Sequence, residues 1–167
     1  MNRITIVGNS GSGKTSLAIE LANKLGIPNF HLDGYFWQDG WKIISKEEQL
    51  KIVTKIIDND SWIIEGNYHD TLDLRFLKCD TIVFLDVPLF KCLSRVLKRS
   101  FKFSGKSREE LPVGCIDKFW NLKLYQYLLF FNIRRKKLIL QKIFNLNKDV
   151  NIVLLTSDKS IKKFLSL

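Results

Sequence analysis

Gly8-Asn9-Ser10-Gly11-Ser12-Gly13-Lys14-Thr15 is the stretch on which the reading of this chain turns. It fills the pattern G-x-x-x-x-G-K-[ST] completely. An apolar run at residues 3–7 precedes it. The stretch 14–25 follows, with Leu17, Ala18, Leu21, Ala22 and Leu25 on one helical face. Strand, glycine loop and helix in that order make an anion cradle. Glycines let the backbone curl so that successive N–H groups point inward, and the helix start adds its dipole and unsatisfied donors. Gly8, Ser10, Gly11, Ser12, Gly13, Lys14, Thr15 and Ser16 are therefore expected to hold the phosphates of ATP, with GTP as the other candidate. Lys14 supplies a point charge to the terminal phosphates. The Thr15 hydroxyl is a hard oxygen ligand for Mg2+.

Outward from the loop, short apolar runs alternate with helix-period stretches. Strands are expected at 29–32, 61–65, 81–87 and 150–155, and helices at 46–58, 89–103, about 116–144 and 159–165. Gly26-Ile27-Pro28 and Pro88 punctuate them. Strands that alternate with helices imply a parallel sheet, and near-continuous apolar strands imply that both of its faces are covered. We expect one domain over residues 1–167, a three-layer α/β/α fold with a five-stranded parallel sheet. The stretch 102–114, with two glycines, Pro112 and several basic residues, is expected to act as a short lid. Ligands of such sheets bind outside the carboxyl ends of the strands. Gly8, Asp33, Glu65 and the 156–158 loop all fall there.

Composition narrows the partners. The chain has 167 residues and a net charge of +10, and residues 91–142 carry 14 of the 27 Lys and Arg but three of the 17 Asp and Glu. The basicity is regional and implies an anionic partner near that segment, namely nucleotide phosphates, nucleic acid or both. No run approaches the roughly 18 apolar residues of a membrane helix, and no export segment precedes the first strand. A cytoplasmic protein without a membrane partner is expected. Three cysteines, Cys79, Cys92 and Cys115, match no zinc spacing and read as reduced thiols.

Glu65, at the end of Trp62-Ile63-Ile64, is placed to hold Mg2+ together with Thr15. Asp33 is placed to orient or deprotonate an acceptor hydroxyl, or else to turn the chain with Gly34. On the helix after Pro88, residues 91, 95, 98, 99 and 102 are basic and share one face. Leu89, Leu93, Val96, Leu97 and Phe101 are expected to pack on the other. Arg95 and Arg99, one turn apart, suit bidentate phosphate contact. Tyr35, Phe36, Trp37 and Trp41 either stack a base or sugar or form a local core. Arg75 either meets an acceptor anion or pairs with Asp70 or Asp73. Asp86 reads as a cap or turn, and His31 and His69 read as structural.

Taken together, these stretches resemble the nucleoside-monophosphate-kinase group of P-loop kinases. Glu65-Gly66 is similar to the acid-Gly strand end that serves that group's Mg2+ site. Asp86-Val87-Pro88 leading to Arg95-Val96-Leu97-Lys98-Arg99 is similar to the stretch entering the lid of adenylate kinases. The resemblance implies that Arg95 and Arg99 contact base and phosphates, that Arg108 before Glu109-Glu110 is a lid arginine, and that the 156–158 loop faces adenine. The chain departs from adenylate kinases at Asn67-Tyr68, where they carry Phe-Pro-Arg. More narrowly, His31-Leu32-Asp33, Phe36-Trp37, Gly40-Trp41, Glu65-Gly66-Asn67-Tyr68 and Leu72-Asp73-Leu74-Arg75 resemble bacterial DNA topology modulation proteins. The expected activity is phosphoryl transfer to a small acceptor, with Lys14, Asp33, Arg95 and Arg99 as the catalytic set. The competing expectation is a nucleotide-dependent nucleic-acid-binding protein. It would use the 91–142 segment, with Arg134-Arg135-Lys136-Lys137 and the interleaved Trp120, Tyr125 and Tyr127.

Overall fold

The computed structural model describes residues 1–108, 110–118, 121–146 and 149–166. Among the described residues the strands are β1 Arg3–Gly8, β2 Asn29–His31, β3 Trp37–Gln38, β4 Lys42–Ile43, β5 Trp62–Glu65, β6 Thr81–Leu85 and β7 Asn151–Leu155. The α-helices among them are α1 Lys14–Leu25, α2 Leu32–Phe36, α3 Lys46–Ile57, α4 His69–Lys78, α5 Leu89–Lys102, α6 Leu122–Phe130, α7 Lys136–Phe144 and α8 Asp158–Leu165. A π-helical segment, Phe131–Arg135, joins α6 to α7. The main sheet has five strands in the order β2-β5-β1-β6-β7, all parallel, and β3-β4 forms a separate antiparallel pair. The expected five-stranded parallel sheet between two helical layers is thus what the chain forms.

Alternation along the strands builds the two cores. Ile4, Ile6, Ile63, Val83 and Leu85 face α1 and α5, where Leu17, Ala18, Leu21, Cys92 and Val96 meet them with Leu128 of α6. Val7, Trp62, Ile64, Ile82 and Phe84 face the other way, onto α3, α4 and α7 through Val53, Ile56, Leu72, Phe76, Ile139 and Ile143. Leu128 belongs to the first core and Phe131 to the second, so the α6–α7 rod caps the sheet end and closes both layers. Local chemistry fixes the helix starts. Ser45 and Glu48 form a reciprocal capping box at α3, and Ser157 accepts from the Ser160 N–H at α8.

Three expectations shift. Leu32 leaves the second strand and with Asp33 opens α2, because Leu32 turns into the core beside Phe36. The helical reading of 116–144 holds from Leu122 onward; Ile116 instead forms a β-bridge with Ser107. On α5 the buried stripe is Cys92, Val96 and Ser100, while Leu97 and Phe101 are exposed. That rotation carries Arg95 to the loop after β1.

Leu128→Ala should cost about 2–5 kcal/mol by urea denaturation, since the residue is fully buried where the rod meets the sheet. Phe144→Ala, on an exposed side chain of the same rod, should stay within about 0.5 kcal/mol.

Candidate active site

Three strands end at one place. The parallel register sets Ile6 of β1 beside Glu65 of β5, and Glu65 beside His31 of β2. Gly8 and Glu65 close their strands there, and Asp33 follows β2 by two residues.

The loop between β1 and α1 packs backbone on backbone. A Cβ on Gly8 would stand 2.6 Å from the Leu85 carbonyl oxygen, and one on Gly11 would stand 2.5 Å from that of Cys92. Gly11 also has φ +73°, in the left-handed region. Two asparagines lock the curl. Asn67 accepts from the Gly8 N–H at 3.0 Å and donates to the Gly8 carbonyl and to the Tyr127 hydroxyl, both at 2.7 Å. Asn9 accepts from the Ser10 N–H at 2.8 Å and donates to the Leu128 carbonyl at 3.0 Å. Ser12 is buried, Ser10 half-buried and Ser16 exposed on the first turn of α1.

Lys14 opens α1, and its ammonium donates to the Asn9 carbonyl at 3.0 Å. The Thr15 hydroxyl donates to Glu65 Oε1 at 2.9 Å. Glu65 is buried and also meets His31 Nδ1. Burial works to raise the Glu65 carboxyl. The His31 bond and charge, the Lys14 charge and the Thr15 bond together outweigh burial and hold the carboxyl below its ordinary value. Burial likewise works against the His31 cation, yet the Glu65 bond and charge, with Asp33 and Glu110 beyond, lift it above its ordinary value. Both shifts have the sign of an ion pair.

Asp33 accepts from the Tyr68 hydroxyl at 2.7 Å and lies 3.9 Å from His31 Nε2. Burial, followed by the Asp33 charge and bond, pushes the Tyr68 phenol far up, so it stays a donor. The aromatics divide between the two readings given for them. Phe36 is core, with its ring 4.5 Å from that of Tyr68; Trp37 and Trp41 are half-buried, 5.5 Å apart, and Tyr35 is exposed.

Arg95 donates to the Gly11 and Ser12 carbonyls at 3.3 and 3.2 Å and pairs with Asp158, which Lys91 also reaches. It ties the glycine loop to the 156–158 turn. Arg99 is half-buried. Burial lowers its pKa, as does the Arg108 charge, against the pull of Asp117, Asp33 and Glu110. Residues 103–108 and 110–118 meet through the Ser107–Ile116 bridge and an Arg108–Asp117 ion pair of 2.8 Å. This segment docks on the β3–β4 hairpin. The Trp41 indole N–H donates to the Ile116 carbonyl at 2.8 Å, the Gly40 N–H to the Gly114 carbonyl at 3.3 Å, and the Cys115 thiol to the Gln38 carbonyl at 3.2 Å. The segment begins after Lys102, which is still helical. Glu109 and Trp120, both named from the sequence, lie outside the described residues.

Arg75 corrects an expectation. It neither faces an acceptor nor pairs with Asp70 or Asp73. It is fully buried and donates to the Gly66 carbonyl at 2.8 Å and the Tyr68 carbonyl at 3.3 Å, and burial pushes its pKa down to about 10. Asp70 pairs with Lys46 and Asp73 with Lys142. Asp86, read as a cap or turn, pairs with Lys136 at 2.7 Å. The sequence reading gave Asn9 no role of its own, quoted Asn67-Tyr68 only within the resemblances and set Tyr127 among the aromatics of the nucleic-acid reading; it assigned none of them to bracing the loop or Asp33. A polar pair directly after an apolar strand end, Asn67-Tyr68, is the one signal that could have marked two of them.

No protein-family model matches the chain. The Bacillus subtilis (strain 168) protein YqaC is 32% identical over 109 residues, a match covering 61% of this chain and 58% of that relative's length. Shikimate kinase from Acinetobacter baumannii in complex with shikimate superposes with a TM-score of 0.65 at 12% identity, over 99% of this chain and 89% of that one. Shikimate kinase from Bacteroides thetaiotaomicron gives 0.60 at 16%, over 99% and 94%. Deoxyadenosine kinase from M. mycoides, with products dCMP and dCDP bound, gives 0.54 at 18%, over 98% and 96%. At these identities the likeness is one of fold, and that fold is the P-loop kinase fold. Among the described residues no helix is long and apolar enough to cross a membrane.

Arg75→Ala should lower stability by about 3–5 kcal/mol in chemical denaturation, because it strands two buried carbonyls and opens a cavity. The His31–Glu65 pair sets a pH window. The raised His31 pKa contributes stability that is complete below about 6.5 and lost as pH rises through its folded value. The lowered Glu65 pKa contributes stability present above about 4.5 and lost as pH falls through its folded value. The Tm advantage of the wild type over His31→Gln should peak between those limits and shrink on either side in a pH series of thermal melts.

Proposed function

We propose that this chain is a phosphotransferase that binds ATP, or GTP, with Mg2+ and transfers the terminal phosphoryl group to a hydroxyl of a small acceptor. The observation that carries this reading is the convergence of Lys14, Thr15, Glu65, Asp33 and Arg95 around one tightly curled glycine loop. A kinase fold without such a constellation would argue nothing about activity.

The residues suit Mg2+. Thr15 and Glu65 offer hard oxygens 2.9 Å apart. Among the described residues no three His, Cys, Asp or Glu side chains group as metal ligands. That sparse donor set fits an ion held mainly by phosphates and water rather than by a protein cage. Thr15 and Glu65 would hold the ion, which when bound would supply positive charge against that of the phosphates.

The protein groups do the rest. Loop N–H groups and the Lys14 ammonium would receive the phosphates once Lys14 leaves the Asn9 carbonyl. Arg95, braced by Asp158, would line the base side, and Arg99 would meet the charge that develops on the transferring group. The acceptor oxygen attacks the γ-phosphorus, and the bond from that phosphorus to the β,γ-bridging oxygen breaks. ADP leaves with the electron pair, and the hydroxyl proton passes to Asp33. The stretch 102–114 would act as the lid that excludes water.

The likeness to DNA topology modulation proteins and the +11 segment support the nucleic-acid reading, but that segment offers less than its charge implies. Lys91, Arg95, Arg108, Lys136 and Lys142 are all paired with carboxylates, and Arg135 stacks over Tyr127. Phosphoryl transfer is the better-supported function. Cytoplasmic location and a single-domain organisation belong to the same proposal.

Lys14→Ala should weaken ATP affinity about 10- to 150-fold by calorimetry, the range for losing a charge-assisted bond to phosphate. Asp33→Asn should keep that affinity and lower acceptor-dependent ADP formation by about 10²–10⁴. Unchanged nucleotide affinity in the Lys14 variant would overturn the assignment.

A further inference from the structure

Asn67 and Tyr68 send their side chains in different directions from one turn. Asn67 accepts from the Gly8 N–H and donates to the Gly8 carbonyl, so a single amide holds both polar backbone groups of the first loop residue. The same amide nitrogen donates to the Tyr127 hydroxyl of α6. Tyr68 donates to Asp33, the carboxylate that follows β2. Residues 66–68 thus reach the phosphate loop on one side and the proposed base on the other.

A charge that the reaction leaves unused keys this turn. Arg75 is fully buried, and its Nε has no hydrogen-bond partner among the described residues. No carboxylate among them pairs with it. A buried guanidinium without a counter-ion costs stability, a cost that an apolar side chain would avoid. The Arg75 fork instead donates to the Gly66 carbonyl at 2.8 Å and the Tyr68 carbonyl at 3.3 Å, which bracket the Asn67-Tyr68 pair. The Gly66 N–H donates to the Ile6 carbonyl at 3.2 Å and ties the turn to β1.

The other end of the brace is α6. The Arg135 guanidinium lies 4.7 Å over the Tyr127 ring, and the Phe131 ring packs beside it. The next residue, Leu128, accepts from the Asn9 side chain through its carbonyl. Two successive residues of α6 therefore hold two successive residues of the loop, one through Asn67 and one directly.

We infer that Arg75, Asn67 and Tyr127 are positioning residues: the turn 66–68, keyed from beneath by Arg75, holds the phosphate loop through Asn67 against Tyr127 and holds Asp33 through Tyr68, so that one brace sets both halves of the site. The consequence for nucleotide affinity rests on the phosphotransferase reading, whereas the bracing belongs to the free chain. Gly8 has wide backbone freedom of its own. Without the brace, binding must first order the loop, and affinity falls by the bonds lost.

The test reads amide hydrogen exchange by mass spectrometry on the intact chain without ligand, and ATP affinity by calorimetry with Mg2+. Tyr127→Phe keeps the ring beneath Arg135 and removes the hydroxyl. It should raise exchange about 3- to 10-fold in residues 8–13 and leave 31–36 unchanged. Tyr68→Phe should do the reverse. Arg75→Lys, which keeps the charge and loses the fork, should raise both. ATP affinity should fall about 3- to 10-fold in Tyr127→Phe, with no further loss when that change is added to Asn67→Ala, because the hydroxyl acts through the amide. Phe144→Ala on the same rod should alter neither readout. A general loss of stability would raise exchange throughout and would not separate the two segments. The exchange pattern without binding of ATP or GTP would uphold the brace and sink the nucleotide reading. Unchanged exchange at 8–13 in Tyr127→Phe, or an equal second loss of affinity in the Asn67→Ala background, would overturn the inference.

Discussion

Backbone lying directly on backbone at residues 8 and 11 is the constraint from which the rest of the structure follows. Gly8 rests on the end of β6 and Gly11 on the first turn of α5, each so close that a single methyl group would not fit. The loop between them therefore has one shape, set by what it presses against and by the Asn9 and Asn67 side chains that lock it. That shape aims α1 and its first two residues, Lys14 and Thr15, across the ends of β5 and β2. It also brings the loop carbonyls of Gly11 and Ser12 within reach of Arg95. A Cβ at Gly11 would have to push α5 away, and Arg95 and Arg99 would move with it; one at Gly8 would press instead on the end of β6.

The charge distribution is the second organising feature. Residues 91–142 carry a large positive excess, and four of its cations meet carboxylates from elsewhere in the chain: Lys91 and Arg95 meet Asp158, Lys136 meets Asp86 and Lys142 meets Asp73. Partly exposed pairs of this kind add little stability, roughly 0–1 kcal/mol each. Their effect is positional. They bind α5 to α8, and the α6–α7 rod to β6 and α4, so that the helices bordering the loop keep fixed places around it.

The segment at 110–118 and the β3–β4 hairpin meet through the Trp41–Ile116 and Gly40–Gly114 hydrogen bonds, with Gly114 packed so tightly that a Cβ there would collide with Asp39. A motion that separates the two must break those bonds.

Much of this was legible in the chain alone. The glycine loop, the alternation of apolar strands with helical stretches and the acids at strand ends are local patterns, and local patterns follow from backbone period and steric rules. They located the parallel sheet, Lys14, Thr15, Glu65 and Asp33 without any coordinates. The fate of Arg75 was not legible, because burial beneath Gly66 and Tyr68 depends on how α4 packs. Neither was the Asn67 clamp on Gly8, which joins residues 59 positions apart, nor the Leu97 and Phe101 error on α5, where one helical rotation decides which stripe is covered. The pairing of His31 with Glu65 belongs to the same class, since strand order and register alone bring β2 beside β5. Sequence determines which groups exist and the period at which they recur. Which of them meet is decided by the packing of distant elements, and so by energies that no local window contains.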